Sequence, residues 1–139
     1  MIGYVTVGAD DIVLAEQFYS AFLSSLGYSL EISPSEGLSY SLAAPRDAQL
    51  EMPDFYVKPP YNGQAASTGN GAMVAFSVPT QALVRELHAA ALEAGGHNEG
   101  SPGFRAEYSA HFYVGYLRDP QGNKIALYCN SRNESKRPD

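Results

Sequence analysis

A strand followed by a helix occurs twice in this chain, and the two copies lie 69 residues apart. In the first copy the strand begins at Tyr4 and the helix ends at Gly27, and in the second copy the strand begins at Met73 and the helix ends at Gly96. Because both pairs of positions have the same spacing, the strand and the helix keep one register. The sequence therefore predicts an internal duplication, which restricts the fold to two similar halves.

Both predicted helices carry start signals. Asp10–Asp11 offers a capping carboxylate to the first helix, and Pro79–Thr80 precedes the second. Apolar side chains recur at helical spacing within each segment. They predict the buried stripes of the two helices: Ile12, Ala15, Phe18, Tyr19, Phe22, Leu23 and Leu26 in the first, and Leu83, Leu87, Ala90, Ala91 and Ala94 in the second.

Further strands follow each helix. After the first they are predicted at Tyr28–Ile32, Leu38–Leu42 and Met52–Val57. Since Pro53 cannot donate a ladder hydrogen bond, the third strand should lie at a sheet edge or begin at Asp54. After the second helix, residues 97–103 resemble a loop and residues 104–108 a short strand, and the hairpin 112–129 follows.

Each half is thus β-α-β-β-β, and the predicted fold class is α+β. We expect a single domain over residues 1–129, in which the first module covers about 1–58, a Pro- and Gly-rich connector covers 59–71 and the second module covers 72–129. The polar tail, residues 130–139, is expected to be frayed.

The best-defined local signal is the hairpin turn 119–123. Asp119 can accept a turn hydrogen bond, Pro120 fixes φ and Gly122 permits a positive φ. In the strand that follows, Ile125, Leu127 and Cys129 alternate with Lys124, Ala126 and Tyr128. One face of this strand should therefore pack on helices and leave the other free for another role. Pairing of Arg118 with Lys124 would place Tyr116 opposite Ala126.

Composition limits the possible partners. The formal net charge of −6 argues against nucleic acid or an anionic membrane surface, since both require clustered Lys and Arg. The one cysteine, Cys129, rules out an internal disulfide, and its apolar strand predicts a buried, inert thiol. The sequence begins with neither a basic segment nor a long apolar run, the two features of a secretory signal. We therefore expect a soluble cytoplasmic protein with neither nucleic acid nor membrane as a partner.

Four segments, taken together, are specific enough to indicate a family. They are Phe18–Tyr19 with Leu26–Gly27–Tyr28, Gly69–Phe76, His88–Gly96 and Tyr113–Ile125. Their sequences resemble the "FY…LG", "GNGxHVAF", "HAAALAAGG" and "YxxYxRDPDGNxIE" motifs of the glyoxalase/bleomycin resistance/extradiol dioxygenase group, the vicinal oxygen chelate (VOC) superfamily. The resemblance implies a curved mixed-sheet cup with helices outside, a ligand pocket in the concavity and, in many relatives, a homodimer.

The resemblance also implies a metal centre, which this sequence does not supply. In metal-dependent relatives a divalent cation (Fe, Ni, Zn or Mn) is held by a His, a His or Gln, and a Glu, at positions that fall here on Tyr4, Met73 and Ala126. A phenol of ordinary pKa, a thioether and a methyl group do not suit a hard divalent ion. A further carboxylate from the first module would come from Glu51 or Asp54, or that position could fall on Tyr56.

The metal is therefore expected to be absent. A metal-dependent lyase, isomerase or dioxygenase with ligands at other positions remains the alternative interpretation.

Tyrosine is unusually frequent, with ten Tyr and no Trp. Aromatic rings with hydroxyl tips suit a pocket that stacks a planar ligand, although tyrosine is also common in ordinary sheets. The predicted pocket residues are Tyr4, Tyr56, Met73, Tyr116, Ala126 and Tyr128.

Few other side chains are candidates for chemistry. His111 lies at the entrance of the hairpin and could protonate or hydrogen-bond a ligand, or simply cap a strand end. His88 and His97 are expected to face solvent, and Arg118 is expected to pair with Asp119. A metal site built from Glu107, His111 and a tyrosine is an additional alternative.

The sequence thus predicts a glyoxalase-like protein that binds a small organic molecule in its cup without a divalent metal. Two alternatives remain open, a metal-dependent enzyme of the same superfamily and a resistance protein that binds a cationic antibiotic such as bleomycin.

Overall fold

The computed structural model describes residues 1–47, 49 and 51–139. It contains two modules of the order β-α-β-β-β. The first comprises β1 (Tyr4–Gly8), α1 (Ile12–Leu23), β2 (Ser29–Ser33), β3 (Gly37–Ser41) and β4 (Asp54–Lys58). The second comprises β5 (Val74–Ser77), α2 (Gln81–Glu93), β6 (His97–Phe104), β7 (Tyr113–Arg118) and β8 (Lys124–Cys129). The predicted α+β duplication is confirmed.

Each module forms a four-stranded mixed sheet with the same strand order. The orders are β1-β4-β3-β2 and β5-β8-β7-β6, in which the first strand pairs in parallel with the last. The pairing registers also correspond. Thr6 lies beside Tyr56, and Ala75, which is 69 residues after Thr6, lies beside Ala126. Tyr56 and Ala126 therefore occupy equivalent positions of the two modules.

The structure corrects three strand predictions. The strand β4 begins at Asp54, as one alternative proposed, but it lies inside the sheet between β1 and β3, so the edge alternative is wrong. Residues 97–104 form the strand β6 and not a loop. Its glycines and two register shifts are accommodated because β6 is an edge strand, where bulges cost little. Residues 105–112, part of which was predicted as strand, form turns.

Both helices have the predicted N-caps. The side chains of Asp11 and Thr80 accept hydrogen bonds from the amides of Leu14 and Leu83, at 3.0 and 3.1 Å. The buried face of α1 agrees with its predicted stripe. In α2 the buried side chains are Val84, Leu87, His88 and Ala91, so the prediction erred by placing His88 on the polar side.

Aromatic rings join the two modules on the helix side of the sheets. Phe76 of the second module packs edge-on against Phe22 and Phe55 of the first, with ring centroids 5.6 and 5.1 Å apart. Phe22 is fully buried, and Phe55 and Phe76 are nearly so. The two halves therefore share one hydrophobic core.

A buried carboxylate adds a polar link between the modules. Asp119, in the β7–β8 turn, is 1% exposed. Its Oδ2 accepts from the Tyr19 hydroxyl of α1 at 2.6 Å, and its Oδ1 accepts from the amides of Gly122 and Asn123, each at 2.8 Å. The Asn123 side chain donates both to Asp119 Oδ2 and to the Gly8 carbonyl of β1. Arg118, which was predicted to pair with Asp119, instead pairs with Glu99 at 3.0 Å.

The C-terminal tail is not frayed, contrary to prediction. Glu134 accepts from the amide of Gln81 at 2.6 Å, and the Arg137 guanidinium donates to the carbonyls of Arg105 and Tyr108 at 2.8 and 3.0 Å. The error arose because polar residues were equated with disorder, whereas these side chains satisfy backbone groups of the helix start and of the 105–112 turns.

Among the described residues, no helix combines the length and apolar character needed to cross a membrane.

We predict that Tyr19→Phe lowers the free energy of unfolding at neutral pH by about 1–3 kcal/mol, because it leaves one oxygen of a buried carboxylate without its hydroxyl donor. The control is Tyr40→Phe, since Tyr40 bonds the hydroxyl of Ser20 and not a charged group. Urea unfolding would measure both losses. A loss for Tyr19→Phe no larger than for the control would contradict the proposed link.

The two buried tyrosines, Tyr19 and Tyr40, also predict that the protein loses stability at alkaline pH. Burial, and then the neighbouring Asp119, raise the pKa of Tyr19 well above its ordinary value, and burial raises the pKa of Tyr40 to about 12. Above about pH 10 the unfolded phenols release protons that the folded protein retains. The free energy of unfolding should therefore fall as pH rises above that point. Tyr19→Phe should flatten this decline, and an unchanged slope would contradict the assignment.

Candidate functional site

Each sheet has one face under its helix and one open face. On the first sheet the helix side carries apolar residues such as Leu38, Phe55 and Val57, all buried. The alternate side chains point the other way, and most of them are polar. The open face of the first sheet consists of Tyr4, Thr6, Ser29, Glu31, Ser33, Ser39, Ser41, Asp54, Tyr56 and Lys58.

Two tyrosines meet on this open face. The rings of Tyr4 and Tyr56 pack edge-on with centroids 5.7 Å apart, and the Lys58 Nζ lies 4.7 Å from the centre of the Tyr56 ring. The Tyr56 hydroxyl donates to Asp54 Oδ2 at 3.1 Å, and this hydrogen bond is the main reason that the pKa of Tyr56 is raised. Tyr56 is therefore a neutral phenol at physiological pH.

A cavity of about 250 Å³ lies beside Tyr56. Its lining includes side chains from three strands and the turn between β2 and β3: Glu31, Ser33, Glu36, Ser39, Tyr56 and Lys58. Hydroxyl, carboxylate and ammonium groups thus surround a space large enough for a small organic molecule.

The open face of the second sheet is aromatic and cationic. Tyr116 lies directly opposite Ala126, as predicted from the pairing of Arg118 with Lys124. Lys124 Nζ and Arg105 Cζ lie 5.1 and 5.4 Å from the centre of the Tyr116 ring. Burial, followed by the nearby Tyr108, raises the pKa of Tyr116, while Arg105 lowers it. The net direction is upward, so Tyr116 is also a neutral phenol.

The end of this face near Tyr128 is filled by the chain itself. The ring of Phe112 stacks on Tyr128 at 5.6 Å and contacts Tyr108 at 5.2 Å. Ala126 is 1% exposed, so its methyl group contributes almost nothing to the open surface.

Of the predicted pocket residues, Tyr4 and Met73 are exposed, Tyr56 and Tyr116 are partly exposed on the open faces, and Tyr128 is covered on one side by Phe112.

The expected metal-ligand positions do not fit a hard divalent cation. Tyr4 packs against Tyr56, Met73 lies just before β5 beside Lys124, and Ala126 has no donor atom. The register identifies Tyr56 as the counterpart of Ala126 in the first module, and its raised pKa opposes ionisation to a phenolate ligand. Within residues 1–47, 49 and 51–139, no group of three or more His, Cys, Asp or Glu side chains could hold a metal ion.

The histidines occupy three different environments. His88 was expected to face solvent, but it is 3% exposed and donates from Nε2 to the Tyr116 carbonyl at 3.0 Å. The burial of His88 could not be predicted from the sequence, because its ring fits under Gly115, which has no side chain. His97 is exposed, as expected. His111 donates from Nδ1 to the Glu134 carbonyl at 3.2 Å, which ties it to the C-terminal tail.

Comparison with solved structures identifies relatives over almost the whole chain. A glyoxalase/bleomycin resistance protein from Albidiferax ferrireducens is 33% identical, with 94% of this chain and 99% of that chain covered and a TM-score of 0.76. A glyoxalase-related enzyme from Fulvimarina pelagi is 18% identical over 94% of this chain and 88% of that one, with a TM-score of 0.71. No family model matches the chain, and no curated protein matches it.

The fold and the open faces together define a two-module cup protein with its helices outside and its polar and aromatic side chains inside. The chain belongs to the glyoxalase/bleomycin resistance protein/dioxygenase superfamily, as the four sequence motifs indicated.

We predict that Gly115→Ala destabilises the protein by about 1–3 kcal/mol, because a Cβ at this position would lie 2.8 Å from His88 Cδ2 and 3.0 Å from Pro102 Cγ. Gly3→Ala is the matched control, since nothing lies within 4 Å of a Cβ added there. Urea unfolding curves would give both values. Equal stability of the two variants would show that His88 does not pack under the sheet in this way.

Proposed function

We propose that this protein binds a small organic molecule on the open faces of its sheets through neutral tyrosines, without the divalent metal that is usual in the superfamily. The observation that carries the proposal is the cross-strand pair Tyr116 and Ala126. At the position where metal-dependent relatives are expected to supply a Glu, this chain has a buried methyl group and a phenol opposite it.

The chemistry of the two open faces supports a binding role. Tyr56 and Tyr116 combine an apolar ring, which can stack on a planar ligand, with a hydroxyl that can orient it. Because the pKa of each is raised, both hydroxyls keep their protons; the Tyr116 hydroxyl can donate to a ligand, whereas the Tyr56 hydroxyl, which donates its proton to Asp54, can accept from one. The cavity of about 250 Å³ beside Tyr56 provides space next to one of these rings.

We predict that the purified protein contains less than about 0.1 equivalent of Fe, Ni, Zn or Mn, and that adding each ion shifts the melting temperature by less than about 1 °C. The physical reason is that a phenol, a thioether and a methyl group offer no stable ligand set for a hard cation. Elemental analysis and thermal melts would test this. Binding near one ion per chain with a clear increase in melting temperature would overturn the metal-free proposal.

We further predict that small planar compounds, screened by ligand-observed NMR, include binders whose affinity falls about threefold to tenfold in Tyr56→Phe or Tyr116→Phe. Loss of a hydroxyl that hydrogen-bonds and orients the ligand is the expected cause. Tyr61→Phe is the control, because Tyr61 is fully exposed. Binders that are unaffected by both open-face substitutions would contradict a tyrosine-lined site.

We also propose that the protein acts as a homodimer in the cytoplasm. The strands β1 and β5 are both sheet edges, and exposed apolar side chains, including Ile2 and Met73, lie at or next to them. Such edges favour association with a second chain. Light scattering should give about twice the 15.0 kDa of one chain, and a monomer at micromolar concentration would contradict the proposal.

A further inference from the structure

Two cations lie against one tyrosine ring and have no acidic ion-pair partner among the described residues. Lys124 Nζ lies 5.1 Å and Arg105 Cζ 5.4 Å from the centre of the Tyr116 ring. In the described part of the chain, neither side chain has a carboxylate oxygen within 4.0 Å. Within the residues that the structure describes, the guanidinium of Arg105 donates to neutral carbonyls alone, those of Ser101 and Phe104. Both positive charges are therefore free to interact with a ligand.

This local charge contrasts with the rest of the molecule. The chain carries a formal net charge of −6, with nine Lys and Arg against fifteen Asp and Glu. Nearby, Arg118 is neutralised by its ion pair with Glu99. Glu107 is close enough to raise the pKa of Tyr116 and offsets part of the charge, but among the described residues it forms no ion pair with Lys124 or Arg105.

The surroundings of Arg105 hold its backbone and leave room for its side chain. The Arg137 guanidinium in the C-terminal tail donates to the Arg105 carbonyl at 2.8 Å, which holds the backbone of the turn. On the adjacent strand β6, a Cβ on Gly100 would lie 2.9 Å from Tyr116 Cδ2 and 3.3 Å from Arg105 Nη2. The glycine thus leaves the space in which the ring and the guanidinium meet.

Space for a ligand lies beside the other cation. A cavity of about 320 Å³ is lined by Lys124 and Arg118, together with Asn70, Gly71, Ala72 and Met73. Lys124 therefore contacts both the Tyr116 ring and an open cavity. A planar molecule stacked near Tyr116 could place a charged end group in this cavity.

We propose that the face formed by Tyr116, Lys124 and Arg105 binds the anionic end group, a carboxylate or a phosphate, of a small planar organic molecule. This inference rests on the proposed function, because it assigns the charge of the ligand that the open face would bind. It also argues against the alternative that the protein binds a cationic antibiotic. The net charge of the chain is negative, but the local charge at Tyr116 is positive.

The test is an NMR titration of the full chain with four probes of similar shape: benzoate, phenyl phosphate, benzamide and benzylammonium. It is done at neutral pH in Tris chloride, without phosphate or carboxylate buffers. Benzoate or phenyl phosphate should bind about tenfold more tightly than benzamide, and benzylammonium should bind most weakly. Comparison of the two anions distinguishes a carboxylate site from a phosphate site. Added salt should weaken the binding of the anions but not of benzamide.

Two substitutions locate the effect. Lys124→Gln and Arg105→Gln should each weaken binding of the preferred anion about fivefold and weaken benzamide binding much less. Lys136→Gln and Arg132→Gln are the matched controls. Both residues are exposed in the tail, so these substitutions remove the same charge without altering the Tyr116 face. Gly100→Ala should also weaken anion binding, because the added Cβ displaces Tyr116 or Arg105.

The outcomes separate this inference from the proposed function. Benzamide or benzylammonium binding as tightly as the anions, with loss of binding in Tyr116→Phe, would overturn the inference and leave the proposed function standing. Equal losses in the Lys124 variant and its Lys136 control would overturn the inference as well, because the effect would then be one of global charge. Failure of all four probes to bind would count against both.

Discussion

The fold depends on the buried carboxylate of Asp119. It lies in the turn of the second module, yet it accepts a hydrogen bond from Tyr19 of the first module, two turn amides and the side chain of Asn123, which in turn bonds to β1. A carboxylate is costly to bury unless its oxygens are satisfied, and here both are. The contact therefore specifies how the two halves meet, while the aromatic rings around Phe76 join them in one hydrophobic core.

Duplication of one module has produced two faces with different chemistry. Side chains that point toward the helices are constrained by packing, so Phe55 and Ile125 occupy matching buried positions. Side chains on the open faces have no such constraint. The first sheet presents hydroxyl and carboxylate groups around Tyr56, and the second presents cations around Tyr116. Two halves with one backbone design thus present different chemistry on their open faces.

The tertiary structure also connects elements that are remote in sequence to the second open face. The tail residue Arg137 holds the turn that carries Arg105, and His88 of α2 supports the backbone carbonyl of Tyr116 from the opposite side of the sheet. Neither residue touches the open face itself. Both act by positioning groups that do, which is why a description limited to the face residues would omit them.

The sequence alone determined the β-α-β-β-β repeat, the two helix caps, the hairpin turn and the pairing of Tyr116 with Ala126, because each depends on local spacing and alternation. It also showed that the expected metal-ligand positions carry Tyr4, Met73 and Ala126. It could not reveal that His88 is buried, that β6 spans His97–Phe104 or that the tail is anchored. Those features depend on contacts between distant segments. His88 packs where Gly115 has no side chain, and Arg137 of the tail bonds to the backbone carbonyl of Arg105; neither contact leaves a pattern along the chain.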